Sequence, residues 1–159
     1  MKNLKSVLII LATAGLISSC DYESRMITIY NDAEQDIIYY IPNVGEGLTS
    51  DFNRYNLPTI IEAHDSIDII TRFSTKQMFQ QCYPLSVYLF DPIIVNEYGW
   101  ETVMRDEMIL VQYELLENDA RRLDCRVSYP PTEEMRDVHM YPPYEEVIAN
   151  YNQMHLVTD

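Results

Sequence analysis

The chain has 159 residues and a formal net charge of −14, with 25 acidic residues against 11 Lys and Arg. So acidic a surface repels nucleic acid and anionic lipid headgroups, which excludes nucleic-acid binding and peripheral headgroup recognition. An apolar content of 47%, arranged with clear periodicity, excludes disorder for most of the chain.

Met1-Lys2-Asn3-Leu4-Lys5 is positive and carries no acid. The apolar run that follows, Val7 to Ile17, is about 11 residues long, against about 20 for a membrane-spanning helix. Its length and its basic flank predict an export signal over residues 1–19. The run ends Ile17-Ser18-Ser19-Cys20, an aliphatic residue and two small residues before a cysteine. That pattern resembles the bacterial lipobox, which implies cleavage before Cys20 and acylation of its thiol. Two or more acyl chains hold a protein firmly on a membrane, at about 0.8 kcal/mol per buried methylene. Removal of Lys2 and Lys5 leaves 9 bases against 25 acids, a mature net charge of −16.

Residues 20–25 form a short lipidated tether. Met26-Ile27-Thr28-Ile29-Tyr30 alternates, with Ile27 and Ile29 on one face. Asn31 to Asp36 has turn chemistry. Ile37 to Ile41 continues as a second strand, so the pair predicts a hairpin. Pro42 to Pro58 is rich in Gly, Asn and Asp and predicts a long surface loop, a candidate binding loop. Thr59 to Glu62 and Ser66 to Ile70 predict two strands around the polar turn Ala63-His64-Asp65. Residues 74–81 are compatible with one helical turn.

Leu85 to Phe90 is the clearest strand and, apolar on both faces toward its end, predicts a central position. Asp91-Pro92 stops it. Residues 99–107 predict a short helix bearing Trp100, Met108 to Leu115 a strand, Glu117 to Leu123 one or two helical turns, and Cys125 to Tyr129 a last strand. The expectation is a mainly β fold, a small antiparallel β-sandwich-like domain (or α+β) over residues 26–129, with minor short helices. A parallel sheet is not expected, because strands do not alternate with long helices.

Residues 130–159 are set apart as a Pro-, Tyr- and acid-rich C-terminal arm, extended by its proline pairs. Tyr129-Pro130-Pro131-Thr132-Glu133-Glu134 is echoed 12 residues later by Tyr141-Pro142-Pro143-Tyr144-Glu145-Glu146. Each copy has the acids of a helix start after its prolines. Two roles follow: docking a partner through Tyr129, Pro130, Pro131, Tyr141, Pro142, Pro143 and Tyr144, or covering a sheet edge of its own domain.

With Cys20 acylated, Cys82 and Cys125 remain. In an oxidising compartment they could bridge, contributing about 3–4 kcal/mol in the chain-entropy model, or stay as two separate buried thiols. His64, His139 and His155 are too scattered for a zinc motif. The mature chain keeps only Gly45, Gly47 and Gly99, too few for a phosphate-binding glycine loop. There is no GxSxG and no acidic calcium loop. No catalytic residue, metal site or cofactor is assigned.

The lipobox, Ile27-Thr28-Ile29-Tyr30-Asn31-Asp32 and Cys125-Arg126-Val127-Ser128-Tyr129-Pro130-Pro131 resemble small lipoproteins of unknown function from Bacteroides-type bacteria. The resemblance implies an outer-membrane anchor and supplies no catalytic residue; acids soon after the cysteine accompany surface display in that group, and Asp21 and Glu23 are present but not contiguous, so the periplasmic and the surface face both stay open. The expected function is non-enzymatic: a lipid-tethered protein-interaction or structural module with a basic envelope or secreted partner. An inhibitor or immunity-type lipoprotein that neutralises a toxin or hydrolase is the second expectation, and a small envelope hydrolase the third.

Overall fold

The computed structural model describes residues 26–42, 58–69, 74–81 and 83–156. Among the described residues eight strands form two sheets, with five short helices between and around them. The strands are β1 (Thr28–Asn31), β2 (Ile37–Tyr40), β3 (Thr59–Ile61), β4 (Ser66–Asp68), β5 (Leu85–Phe90), β6 (Val111–Leu115), β7 (Arg126–Tyr129) and β8 (His139–Tyr141). The helices are α1 (Thr75–Gln81), α2 (Pro92–Tyr98), α3 (Trp100–Arg105), α4 (Glu117–Arg122) and α5 (Tyr144–Leu156). The fold is mainly β, as its alternating runs lead one to expect. Among the described residues no helix is long and apolar enough to cross a membrane.

The smaller sheet has the order β4-β1-β7 and the larger β3-β2-β5-β6-β8. β1 and β2 do not pair as a hairpin. β1 pairs with β4 and β2 with β3, both antiparallel, so between Thr28 and Asp68 the chain crosses between sheets twice, at residues 32–36 and 62–65. The two stretches form one long antiparallel pair bent at a common corner, as where strands switch between packed sheets.

Asn31 holds that corner. It is fully buried, and its Nδ2 donates to the carbonyls of Gln35 (2.8 Å), Ile61 (3.1 Å) and Glu62 (3.0 Å). Its Oδ1 accepts from Ala33 N at 3.2 Å. One amide thus satisfies backbone groups of both crossings, which is why a polar side chain is tolerated in the core.

Neither sheet is a parallel one, but the smaller is mixed: β1 and β7 run parallel, Thr28 against Arg126 through Asn31 against Tyr129. The connection between them is most of the domain, so no strand-helix rhythm marks it in the sequence. β5 lies at the centre of the larger sheet, between β2 and β6.

The main core fills the space between the sheets. Ile27, Ile29, Val127 and Tyr129 meet Leu85, Val87, Leu89, Val111, Tyr113 and Leu115 there. Tyr113 is fully buried, and its hydroxyl donates to the Ser128 carbonyl across the core at 2.8 Å. A second, smaller core lies on the opposite face of the larger sheet. There α2 and α3 place Val103, with Ile94, Val95 and Trp100, over Ile38 and Phe90.

Residues 130–156 fold back onto the same body. Met135, Val138, Met140 and Val147 join the main core, and β8 adds the edge strand beyond β6. The first of the two echoing segments makes a 3-10 turn, Glu133–Met135, and the second starts α5, with Glu145 and Glu146 in its first turn. The Tyr129-Pro130 and Tyr141-Pro142 peptide bonds are both cis, as is Tyr83-Pro84. The Cys20 tether, most of the loop from Pro42 to Pro58, and Cys82 lie outside the described residues.

Candidate functional site

Cross-strand register assembles the site. On the face of the larger sheet turned away from the main core, Tyr40 stands opposite Tyr88, Tyr88 opposite Gln112, and Gln112 opposite Tyr141. One step along the strands, Ser86, Glu114 and His139 make a parallel row. Period-2 alternation puts these seven polar or aromatic side chains on one surface, while Leu89, Val87, Tyr113 and Met140 point to the core.

Helices α2 and α3 cover the Ile38–Phe90 end of this face, and Tyr40 and Tyr88 pack partly against the same cluster. Trp100 meets Phe90 and Tyr40 edge-on, with ring centroids 5.0 and 5.2 Å away, and so fixes the boundary of the covered part. Beyond it a pocket of about 120 Å³ opens between sheet and helix end, lined by Tyr88, Met104, Glu107, Ile109, Gln112 and Tyr141. Tyr141 is 57% exposed.

The end of α3 positions Glu107. Met108 N donates to the Val103 carbonyl at 3.0 Å, closing the helix with a left-handed residue between, and that residue is Glu107, φ +52°. Glycine ordinarily occupies such a position, and a side-chain-bearing residue there costs roughly 1–2 kcal/mol. An acid is therefore held at the pocket rim in a conformation it does not favour. Burial, and then the carboxylates of Glu114 and Glu107, raise the pKa of the Tyr88 phenol above its ordinary value. Tyr88 accordingly stays neutral and able to donate a hydrogen bond well into alkaline conditions.

The second row does not bring its serine and its histidine together. His139 Nδ1 lies 2.6 Å from Glu114 Oε2, and Gln112 Nε2 donates to Glu114 Oε1 at 3.3 Å. The carboxylate stands between the hydroxyl and the imidazole. At one strand spacing each, Ser86 and His139 are about 10 Å apart across the sheet. A general base must reach the hydroxyl it activates, so this order of groups assembles no nucleophile. His64 is likewise at the surface, 3.1 Å from Glu34 Oε2. Among the described residues no group of three His, Cys, Asp or Glu side chains is placed to hold a metal.

The residues singled out in the sequence are dispersed. Tyr129 is buried in the main core and meets Tyr151 edge-on at 6.0 Å. Pro131 is buried and Pro130 half-buried, so the Tyr-Pro-Pro of the first segment offers little surface, and only Thr132, Glu133 and Glu134 of that segment are exposed. In the second, Tyr141 lines the pocket and Pro142 is half-buried. The Pro143 carbonyl accepts from Glu146 N and Val147 N as the first turn of α5 forms. Tyr144 lies under the Arg136 guanidinium, 4.7 Å from ring centroid to Cζ, and its hydroxyl donates to Glu133 Oε2 at 3.3 Å. Arg136 also pairs with Glu133 at 2.8 Å and with Glu145, tying the two echoing segments to each other. Cys125 is buried just before β7, and its candidate partner Cys82 is outside the described residues. Tyr88, Gln112 and Glu107 were not singled out in the sequence. They come from two strands and a turn, and only alternation within each run hinted that Tyr88 and Gln112 face away from the core. Comparison of the chain with models of protein families, with curated proteins and with solved structures finds no match to any of them.

Proposed function

We propose that the chain is a lipid-anchored envelope protein, tethered through Cys20, that acts as a non-enzymatic protein-interaction module. The half-buried to exposed part of the outer face of the larger sheet, from Tyr88 to Tyr141, is its binding surface. The observation that carries this reading is the row Tyr40–Tyr88–Gln112–Tyr141, ending in a pocket rimmed by an acid in a strained conformation. Tyrosine supplies broad amphipathic contact for little lost rotamer freedom, and interface centres are enriched in it. Backbone strain kept at a surface pocket is a mark of function, since glycine would relieve it. Glu107 and Glu114 make the face acidic and favour a basic protein partner.

The test uses the lipid-bearing protein and its Tyr141→Asp variant as paired baits in native envelopes, with circular dichroism as a check on folding. The parent is expected to retain a basic protein that the variant loses. The same set of bound proteins on both baits would remove the face from consideration. The anchor is tested separately: Cys20→Ala is expected to leave the membrane fraction and to take up no labelled fatty acid, and an acylated, membrane-bound variant would contradict it.

A further inference from the structure

Helix α2 carries Ile93, Ile94, Val95 and Tyr98, yet none of its residues is buried. Beside it lies an open groove of about 440 Å³, walled by Ile94 and Tyr98 of α2, Met108 and Leu110 before β6, and Met154 of α5. Ile109 borders both this groove and the tyrosine-lined pocket, so the two are neighbours. The volume falls within the roughly 300–1,000 Å³ of ordinary ligand pockets.

Asp91 is the one charged residue among the described residues lining the groove. Its Oδ1 accepts from Ile93 N at 2.7 Å and caps α2, and its Oδ2 accepts no hydrogen bond from the described residues. The stretch of chain around it is acidic too. Residues 91–107 hold Asp91, Glu97, Glu101, Asp106 and Glu107 against the single base Arg105, which Asp106 already binds at 2.7 Å. No Lys or Arg follows Arg136, so α5 brings no counter-charge.

Resting on the interaction-module reading, we propose that the groove takes a cationic amphipathic segment of the partner protein. Its aliphatic or aromatic side chains lie against Ile94, Leu110 and the two methionines, and a Lys or Arg reaches the Asp91 carboxylate. Methionines suit an apolar trough that must fit uneven side chains. A second copy of this chain is the weaker occupant, because each copy carries a net charge of −14.

The experiment is a fluorescence-anisotropy titration of the protein with a labelled helical Leu/Lys peptide and with its Leu/Glu counterpart. The Leu/Lys peptide is expected to bind and the Leu/Glu peptide not. Asp91→Asn removes the charge and keeps the cap, since Asn caps as well as Asp. It should weaken binding about 5–10-fold, the loss of one charge-assisted contact. Met154→Lys, at an exposed position, should abolish binding with the thermal midpoint unchanged. Glu62→Gln, at the sheet corner, should have no effect, which separates the groove from general acidity. Equal binding of both peptides, or parent-like titrations of Asp91→Asn and Met154→Lys, would overturn the proposal. So would a neutral alkyl glycoside that binds without regard to Asp91, or a dimer that Met154→Lys dissolves. If the peptide results fail while Tyr141→Asp still loses its captured partner, the groove assignment falls and the interaction reading stands. If Tyr141→Asp and Met154→Lys both capture as the parent does, both fall.

Discussion

The two Tyr-Pro-Pro segments begin alike and end in opposite environments. Tyr129 closes β7, which lies beside β1 at the side of the main core, and its ring is 1% exposed. Tyr141 closes β8, the edge of the larger sheet, with its side chain on the outer face and 57% exposed. The local motif sets the chain's course in both cases, a strand stopped by prolines and followed by a helical turn. Burial is set by which strand lies alongside and which face the alternation selects. One copy therefore builds the core, and the other is left to make a surface.

The sharpest way to break that comparison is to truncate both tyrosines. Tyr129→Ala should cost about 3–5 kcal/mol, as removal of a buried aromatic does, while Tyr141→Ala should stay within about 0.5 kcal/mol. Urea denaturation reads both, and equal costs would erase the distinction. Next in size is Asn31→Ala, expected to cost about 2–3 kcal/mol because it strands carbonyls of both inter-sheet crossings. The same denaturation curve measures it.

Tyr113→Phe tests the inward face of β6 against the outward one. Loss of the bond to Ser128 should cost about 1–2 kcal/mol below pH 9. The penalty should shrink in alkali. Burial raises the pKa values of both Tyr113 and Tyr129 above the ordinary value of 10.0. Ionisation is then easier in the unfolded chain than in the folded one. The stability from their neutral forms is complete below about pH 10 and declines as pH rises from there toward the folded pKa values. The parent's denaturation midpoint should thus fall more steeply above pH 10 than that of Tyr113→Phe, and parallel profiles would contradict the assignment. The smallest effect is expected at Glu107→Gly, a gain of about 0.5–1 kcal/mol from relief of the left-handed residue. It should come with weaker capture of the partner, and a gain without that loss would make the strain incidental.

Much of the fold was legible before any tertiary contact was known. Ile27 and Ile29 do share a buried face, Leu85 to Phe90 is the central strand, and the runs at 111–115 and 126–129 are strands. Asp91-Pro92 ends β5. It is also a helix start, a capping acid followed by proline at the first helical position, and α2 grows from it. The supposed hairpin of residues 26–41 failed for a different reason. Turn residues at 32–36 say that the chain bends but not whether it returns to the same sheet, and Asn31 resolves that by bonding across to residues 61 and 62.

Sequence alone determined most of the strands before Pro130 and the charge, because alternation, turn chemistry and acid count are local properties of consecutive residues. It also carried the signs of an export signal and a lipid-accepting cysteine in its first twenty positions. Tertiary structure decided which strands are neighbours, including the parallel contact of β1 with β7. It also brought Tyr88, Gln112 and Tyr141 into one row from three separate runs. Register is a relation between distant segments, satisfied by hydrogen bonds and packing across a shared core, so no window along a single chain contains it.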